Sequence, residues 1–164
     1  MANLEIKKFN NPILREKCKE VGRIDKKVRK LMVDMAQTIE RNQGVGLSAP
    51  QVGVAKRIIV VEADFRGQRI LGLVNPKIIK RGKGTETDEE GCLSFPGIFL
   101  KIKRAKEVEV EGLDINGKKI RIKAKGLLAR VFQHEIDHLD GTLFIDRLGL
   151  AQRLRFKLKH PFKS

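Results

Sequence analysis

The run Gln133-His134-Glu135-Ile136-Asp137-His138-Leu139-Asp140-Gly141 constrains this chain more than any other. It contains His-Glu-x-x-His. On an α-helix, residues four apart share a face, one turn above each other. His134 and His138 can therefore offer imidazole nitrogens to a single metal ion. Glu135 points about 100° round the helix axis. That suits a base reaching a water beside the metal without ligating the metal itself. The chain has only three histidines, and two of them are here. A surface helix with a chance pair of histidines would need no apolar lead-in. This helix has one, in Leu127, Leu128, Val131 and Phe132.

At 164 residues, one domain spanning 1–164 is expected. The formal net charge is +15, which favours acidic partners, nucleic acid above all. A charged, solvated surface would look the same by composition. Cys18 and Cys92 do not suggest a disulfide framework. The start Met-Ala-Asn-Leu-Glu-Ile-Lys-Lys lacks the apolar core of a signal peptide. No apolar run approaches the ~20 residues that span a bilayer. A cytoplasmic protein with reduced thiols and no membrane or DNA partner is expected.

Along the chain, Val28, Leu31, Met32, Met35 and Ile39 recur at helical spacing and predict a helix over 26–42. Asp25 fits as its N-cap and Gly44 as its stop. The stretch 44–53, rich in small residues, reads as extended backbone that something can approach closely. It lacks the Gly-Lys-Ser/Thr ending of a phosphate loop. Strands are expected over 57–64, over 69–79 with an interruption at Asn75-Pro76, and over 107–111. Asn116-Gly117 signals a hairpin whose return strand carries Ile120 and Ile122. Residues 13–21 have no clear pattern, and 81–84 read as a loop. A basic helix is expected over 150–159, with Leu150, Ala151, Leu154 and Leu158 as its apolar stripe and Pro161 stopping it. The fold class is α+β: antiparallel β-sheets packed around a central metal-binding helix, with an N-terminal and a C-terminal helix.

A catalytic zinc-type site takes three protein ligands. Cys92 lies in Glu89-Glu90-Gly91-Cys92-Leu93-Ser94-Phe95-Pro96-Gly97, which reads as a bend. A free cysteine is more often a small buried hydrophobe than a ligand. Here, however, two histidines need a third partner. Asp137, Asp140 and His160 are the alternatives, and Asp137 could instead orient a ligand imidazole.

Three segments together resemble the peptide deformylase family: Gly44-Val45-Gly46-Leu47-Ser48-Ala49-Pro50-Gln51, Glu90-Gly91-Cys92-Leu93-Ser94 and Gln133-His134-Glu135-Ile136-Asp137-His138. Their order and spacing match the family along almost the whole chain. Ser48 departs from it, since the family usually has Ala there. The resemblance implies removal of the formyl group from the N-terminal formyl-methionine of new proteins. It implies Cys92, His134 and His138 as ligands of one divalent metal that activates a water. Glu135 would be general base and then acid, and the Gln51 amide and Leu93 N–H would hold the oxyanion. Fe2+ is the family's usual ion, with Zn2+, Ni2+ or Co2+ able to replace it; one thiolate and two imidazoles suit Zn2+ as well. The backbone of Gly44, Val45 and Gly46 would pair with the peptide. Val45, Leu93, Val131 and His134 would line the methionine pocket. Glu90 and Arg104 would form a buried ion pair behind the metal loop, with Asp137 supporting.

The basic helix over 150–159 reads either as a core-packed helix with a solvated face or as a ribosome anchor, through Arg153, Arg155, Lys157 and Lys159. Two rival functions share the main features. A zinc endopeptidase also uses His-Glu-x-x-His, although Glu-Gly-Cys-Leu-Ser argues against it. A non-enzymatic, basic ribosome- or RNA-binding protein would hold a structural metal, closed by a fourth protein ligand.

Overall fold

The structure, a computed structural model, describes residues 3–161, so the outermost ends of the domain expected over 1–164 lie outside the described residues. Helix α1 (Lys26–Arg41) starts where expected: the Asp25 side chain accepts the Val28 N–H at 2.9 Å. It ends one residue early, and Gln43 rather than Gly44 takes the left-handed backbone, at φ +53°.

The main sheet is antiparallel, in the order β1-β2-β3-β6-β7, formed by Gly46–Ser48, Ile58–Glu62, Ile70–Arg81, Glu107–Leu113 and Lys119–Lys125. The four apolar residues Ile58-Ile59-Val60-Val61 of β2 are explained by burial on both faces. Ile59 and Val61 pack with Val131, Phe132 and Ile136 of helix α2 (Gly126–Leu139). Ile58 and Val60 face the other way, with Met32, Met35 and Ile39 of α1. Alternating side chains thus place one helix on each face.

Three expectations need correction here. The stretch 44–53 is extended only through β1, after which Ala49–Val52 forms a 3-10 turn. Asn75-Pro76 does not break its strand. It produces a register shift within a continuous β3, with Asn75 at φ +52°, and the Asn75 amide pairs with both backbone groups of Val21. The segment 89–97, read as a bend, is the tip of a second, two-stranded sheet. Strand β4 (Thr85–Cys92) turns at Leu93 and Ser94 into β5 (Phe95–Ala105).

Helix α2 lies between the main sheet and this hairpin. Under the hairpin, Phe95 and Ile102 pack with Leu14, Phe144, Ile145 and Phe156. The N-terminal segment closes against the end of α2. The Cys18 N–H donates to Leu139 O at 2.8 Å, and Arg15 pairs with Asp146 at 2.5 Å. Gly141 has φ +70°, and a Cβ there would lie 2.5 Å from the Arg15 carbonyl oxygen, so only glycine fits.

Helix α3 (Leu150–Lys159) forms over the expected residues, but its leucines do not face inward. Leu150, Leu154 and Leu158 are 79%, 55% and 83% exposed, and Phe156 is the buried contact. Among the described residues no helix is long and apolar enough to cross a membrane.

Candidate metal centre and active site

Every residue of α2 from Ala129 to Leu139 is buried, including Arg130, Gln133, His134, Glu135, Asp137 and His138. Polar groups in such a place need partners. Most come from the β4–β5 hairpin. Gln133 pairs with both backbone groups of Ala105, much as another strand would. Glu90 accepts from Arg104 Nε and Nη2 at 2.8 and 2.9 Å and from Arg130 Nη1 at 2.7 Å, and lies 2.8 Å from His134 Nδ1. Burial pushes the Glu90 carboxyl up, but the hydrogen bonds from Arg104 and His134 outweigh it and hold it at about 2. Glu90 and Arg104 are therefore a buried ion pair, as expected.

With His134 Nδ1 turned to Glu90, its Nε2 is left for a metal. His138 Nε2 lies 3.4 Å from Cys92 Sγ. One ligand atom from each of Cys92, His134 and His138 falls within 4.8 Å of the others. A thiolate and two imidazoles at that spacing fit a divalent transition-metal ion. Burial pushes the His138 imidazole well below its usual range, toward the neutral form that ligates metals. The alternative ligands are engaged elsewhere. Asp137 sits between Arg104 and Arg147, Asp140 pairs with Arg57, and His160 lies against Phe156. Asp137 therefore orients no imidazole; Glu90 has that contact.

Glu135 packs against Gly46 of β1. Its Oε2 is buried with no hydrogen-bond partner among the described residues. Burial, the largest influence, and the Glu90 charge push its carboxyl up to about 7, against the opposing charges of His134 and Arg104. Gln51 Nε2 lies 3.4 Å from Cys92 Sγ and 3.2 Å from Ser94 Oγ. Its Oε1 accepts from both the N–H and the hydroxyl of Ser48, each at 2.9 Å, so the amide presents Nε2 to the metal cluster.

Cys92, His134, Glu135 and Gln51 line a cavity of about 540 Å³. Gly44, Val45, Gly46, Leu93, Val131 and His134, all expected near the substrate, line it. Leu127 lines it as well and is 51% exposed, rather than part of the helix's buried face. Strand β1 is the edge of the main sheet, so its outer side is open to another strand. A Cβ on Gly44 would lie 2.9 Å from Leu93 Cδ1.

Sequence reasoning missed Ser48, Gln133, Arg147 and Arg130. For Arg130 a signal was present: it stands four residues before His134, on the same helical face.

The fold and the Cys-His-His cluster define an α+β metal-dependent hydrolase of the His-Glu-x-x-His type. The model of the polypeptide deformylase family matches residues 3–154. A peptide deformylase of Halothermothrix orenii is 52% identical over 90% of this chain and 95% of its own length. One of Thermodesulfovibrio yellowstonii is 47% identical over the full length of both. Among solved structures, the peptide deformylase of Thermus thermophilus superposes with a TM-score of 0.90 at 38% identity, covering 96% of this chain and 93% of that one. A peptide deformylase of Synechococcus elongatus, in complex with actinonin, gives 0.89 at 41% identity, covering 98% and 87%. The chain belongs to the polypeptide deformylase family. It is a hydrolase that removes the N-formyl group from newly synthesised proteins, and its family is metal-dependent.

Proposed function

We propose that Cys92, His134 and His138 hold the ion, and that Glu135, Gln51 and Leu93 carry the chemistry around it. Fe2+ is the proposed native ion, with Zn2+, Ni2+ and Co2+ as substitutes, since the donor set accepts each. When bound, the ion supplies a Lewis acid that makes water acidic enough to lose a proton near neutral pH. Glu135 takes that proton as the water oxygen bonds to the formyl carbon. It returns the proton to the amine nitrogen as the C–N bond breaks and formate leaves. The Gln51 Nε2 and Leu93 N–H groups donate to the formyl oxygen as it gains charge. The peptide lies along the open edge of β1 at Gly44, Val45 and Gly46, as an added strand would. Its methionine side chain enters the cavity beside Val45, Leu93 and Val131. Glu90, Arg104 and Asp137 brace His134 and the helix from behind.

The observation carrying this reading is the partnerless Glu135 oxygen at the cavity, beside three clustered ligand atoms. The test is formate release from formyl-Met-Ala-Ser under anaerobic Fe2+, for wild type and Glu135→Ala, beside an internally quenched peptide. Formate from wild type alone supports it. Activity persisting in Glu135→Ala removes Glu135 as base, and cleavage only of the internal peptide bond overturns the whole reading.

The chain is further proposed to act as one catalytic domain, in the cytoplasm, at the ribosome. The net charge of +15 supports an RNA-rich partner. On α3, Arg155, Lys157 and Lys159 are exposed, whereas Arg153 reaches Asp146 at 3.2 Å. Neutralising Arg153, Arg155, Lys157 and Lys159 should weaken co-sedimentation with ribosomes and leave hydrolysis of a short formyl peptide unchanged. Unaltered co-sedimentation removes this helix as the anchor.

A further inference from the structure

The geometry points to Arg130 as a positioning residue that sets the hairpin bearing Cys92 in register with the helix bearing His134 and His138. This rests on the metal-site reading above and extends it. The three ligands come from two separate pieces of structure. Cys92 ends β4, while the histidines stand on α2. Nothing in the covalent chain between them fixes their separation, so non-covalent contacts must do so.

Arg130 makes those contacts from one side chain. It is buried at 6% exposure. Its Nη1 donates to Glu90 Oε2 at 2.7 Å and to the Ile102 carbonyl of β5 at 2.7 Å. Its Nη2 donates to the Glu86 carbonyl of β4 at 2.9 Å. One guanidinium on α2 thus grips both strands of the hairpin and the carboxylate between them. Glu90 in turn meets His134 Nδ1 through its other oxygen, at 2.8 Å. Arg130 and His134 are four apart, so Glu90 is held from two successive turns of the same helix face.

Arg104 does not duplicate this role. It belongs to β5 of the hairpin, and its Nη1 is drawn to Asp137 at 2.5 Å. It ties Glu90 to its own strand partner and reaches α2 only at Asp137. Without Arg130, the Ile102 and Glu86 carbonyls would lose a buried donor, and α2 would be left with only its histidine contacts to β4, His134 to Glu90 and His138 to Cys92. Lysine cannot replace the fork, because one ammonium on a flexible stem cannot serve a carboxylate and two carbonyls in fixed directions. Groups that orient metal ligands typically contribute about 10–100-fold in metal affinity.

The test is a Co2+ titration of the metal-free full-length chain, followed by the thiolate-to-cobalt absorption in the near ultraviolet and the ligand-field bands in the visible. Wild type, Arg130→Met and Arg130→Lys are compared, with Arg121→Met as a control on an exposed arginine of β7. Folding is checked by circular dichroism. Arg130→Met should bind Co2+ about 10–100-fold more weakly, with altered ligand-field bands. Arg130→Lys should recover part of the affinity but not the wild-type spectrum, and Arg121→Met should match wild type. A folded Arg130→Met with wild-type affinity and spectrum overturns the inference. If Arg130→Met does not fold, a wild-type affinity and spectrum in Arg130→Lys overturns it instead. A wild type with no thiolate-to-cobalt band overturns the metal-site reading, and this inference falls with it.

Discussion

A Cβ built on Gly46 would lie 2.6 Å from Glu135 Oε1 and 2.9 Å from Val131 Cγ1. Strand β1 and helix α2 therefore meet with no room for a single methyl group. Gly46→Ala must push Glu135 aside or move β1, and both alter the geometry at the cavity. Displacements near 1 Å at a reacting centre can cost on the order of 10²-fold. The expected result is a kcat/KM for formyl-Met-Ala-Ser lower by about that factor, with the metal content retained. Near-normal activity would show that the strand gives way freely.

Glu135→Gln keeps the shape and removes the proposed base. The expected loss in kcat is about 10²–10⁴-fold. Metal stoichiometry by elemental analysis should stay at the wild-type level, because the proposed ligands are untouched. Loss of the metal would instead make Glu135 part of the ligand set.

Ser48 offers a subtler case. Its hydroxyl and its N–H both donate to Gln51 Oε1. Ser48→Ala leaves the N–H in place, so the amide keeps its orientation but loses one of two restraints. A fall in kcat of roughly three- to tenfold is expected, at an unchanged KM, consistent with about 1 kcal/mol for one hydrogen bond. A changed KM with constant kcat would move the effect to substrate binding.

Asp146 makes a pH-dependent contribution to stability. Burial pushes its carboxyl up, but the Arg15 hydrogen bond, the Leu143 N–H and the charges of Arg15 and Arg153 outweigh it, leaving it below its ordinary value. A group lowered on folding adds stability above its unfolded value and loses it as pH falls through its folded value. Asp146→Asn should therefore cost about 1–2 kcal/mol at pH 7. Below about pH 4, where an ordinary Asp carboxyl is more than half protonated, the difference from wild type should shrink in urea melts. A difference that stays constant through strong acid would contradict the assignment.

Cys18 is buried, and burial, only partly offset by Arg57, pushes its thiol up to about 11. Very little thiolate is then present at about pH 8. Iodoacetamide should label Cys18 in the native protein far more slowly than in guanidinium, as read by peptide mass mapping. Equal rates in both conditions would mean that the segment around Cys18 opens freely.

Much of this fold can be read from one sequence, for identifiable reasons. Helix α1 and strand β2 show because burial imposes a period or a continuous apolar run. The histidine pair shows because its spacing is local to one helix. Strand β4 does not show, because Thr85 to Glu89 are all exposed and leave no hydrophobic pattern. Its partner β5 is legible by contrast, since Ile98, Leu100 and Ile102 alternate inward toward Phe95 and Phe144. Cys92 stands out as a ligand because the histidine pair needs a third partner and Cys18 lies far upstream, and the resemblance then adds to that reading. The leucines of α3 mislead for another reason. That helix buries one residue, Phe156, so core packing does not decide which way its leucines point.

Residues 12–18 close against residues 139–146 through the Cys18–Leu139 hydrogen bond, the Arg15–Asp146 pair and the tight seat of Gly141 beneath Arg15. Ribosomes build chains from the N-terminus at ~5–20 residues per second. Residues 12–18 must therefore wait for residues 139–146 to emerge before this closure can form. His134 and His138, the proposed ligands on α2, lie just ahead of that late stretch. An enzyme whose substrates are newly made chains therefore cannot bring the proposed ligands Cys92, His134 and His138 together until residue 138 of its own chain has been made.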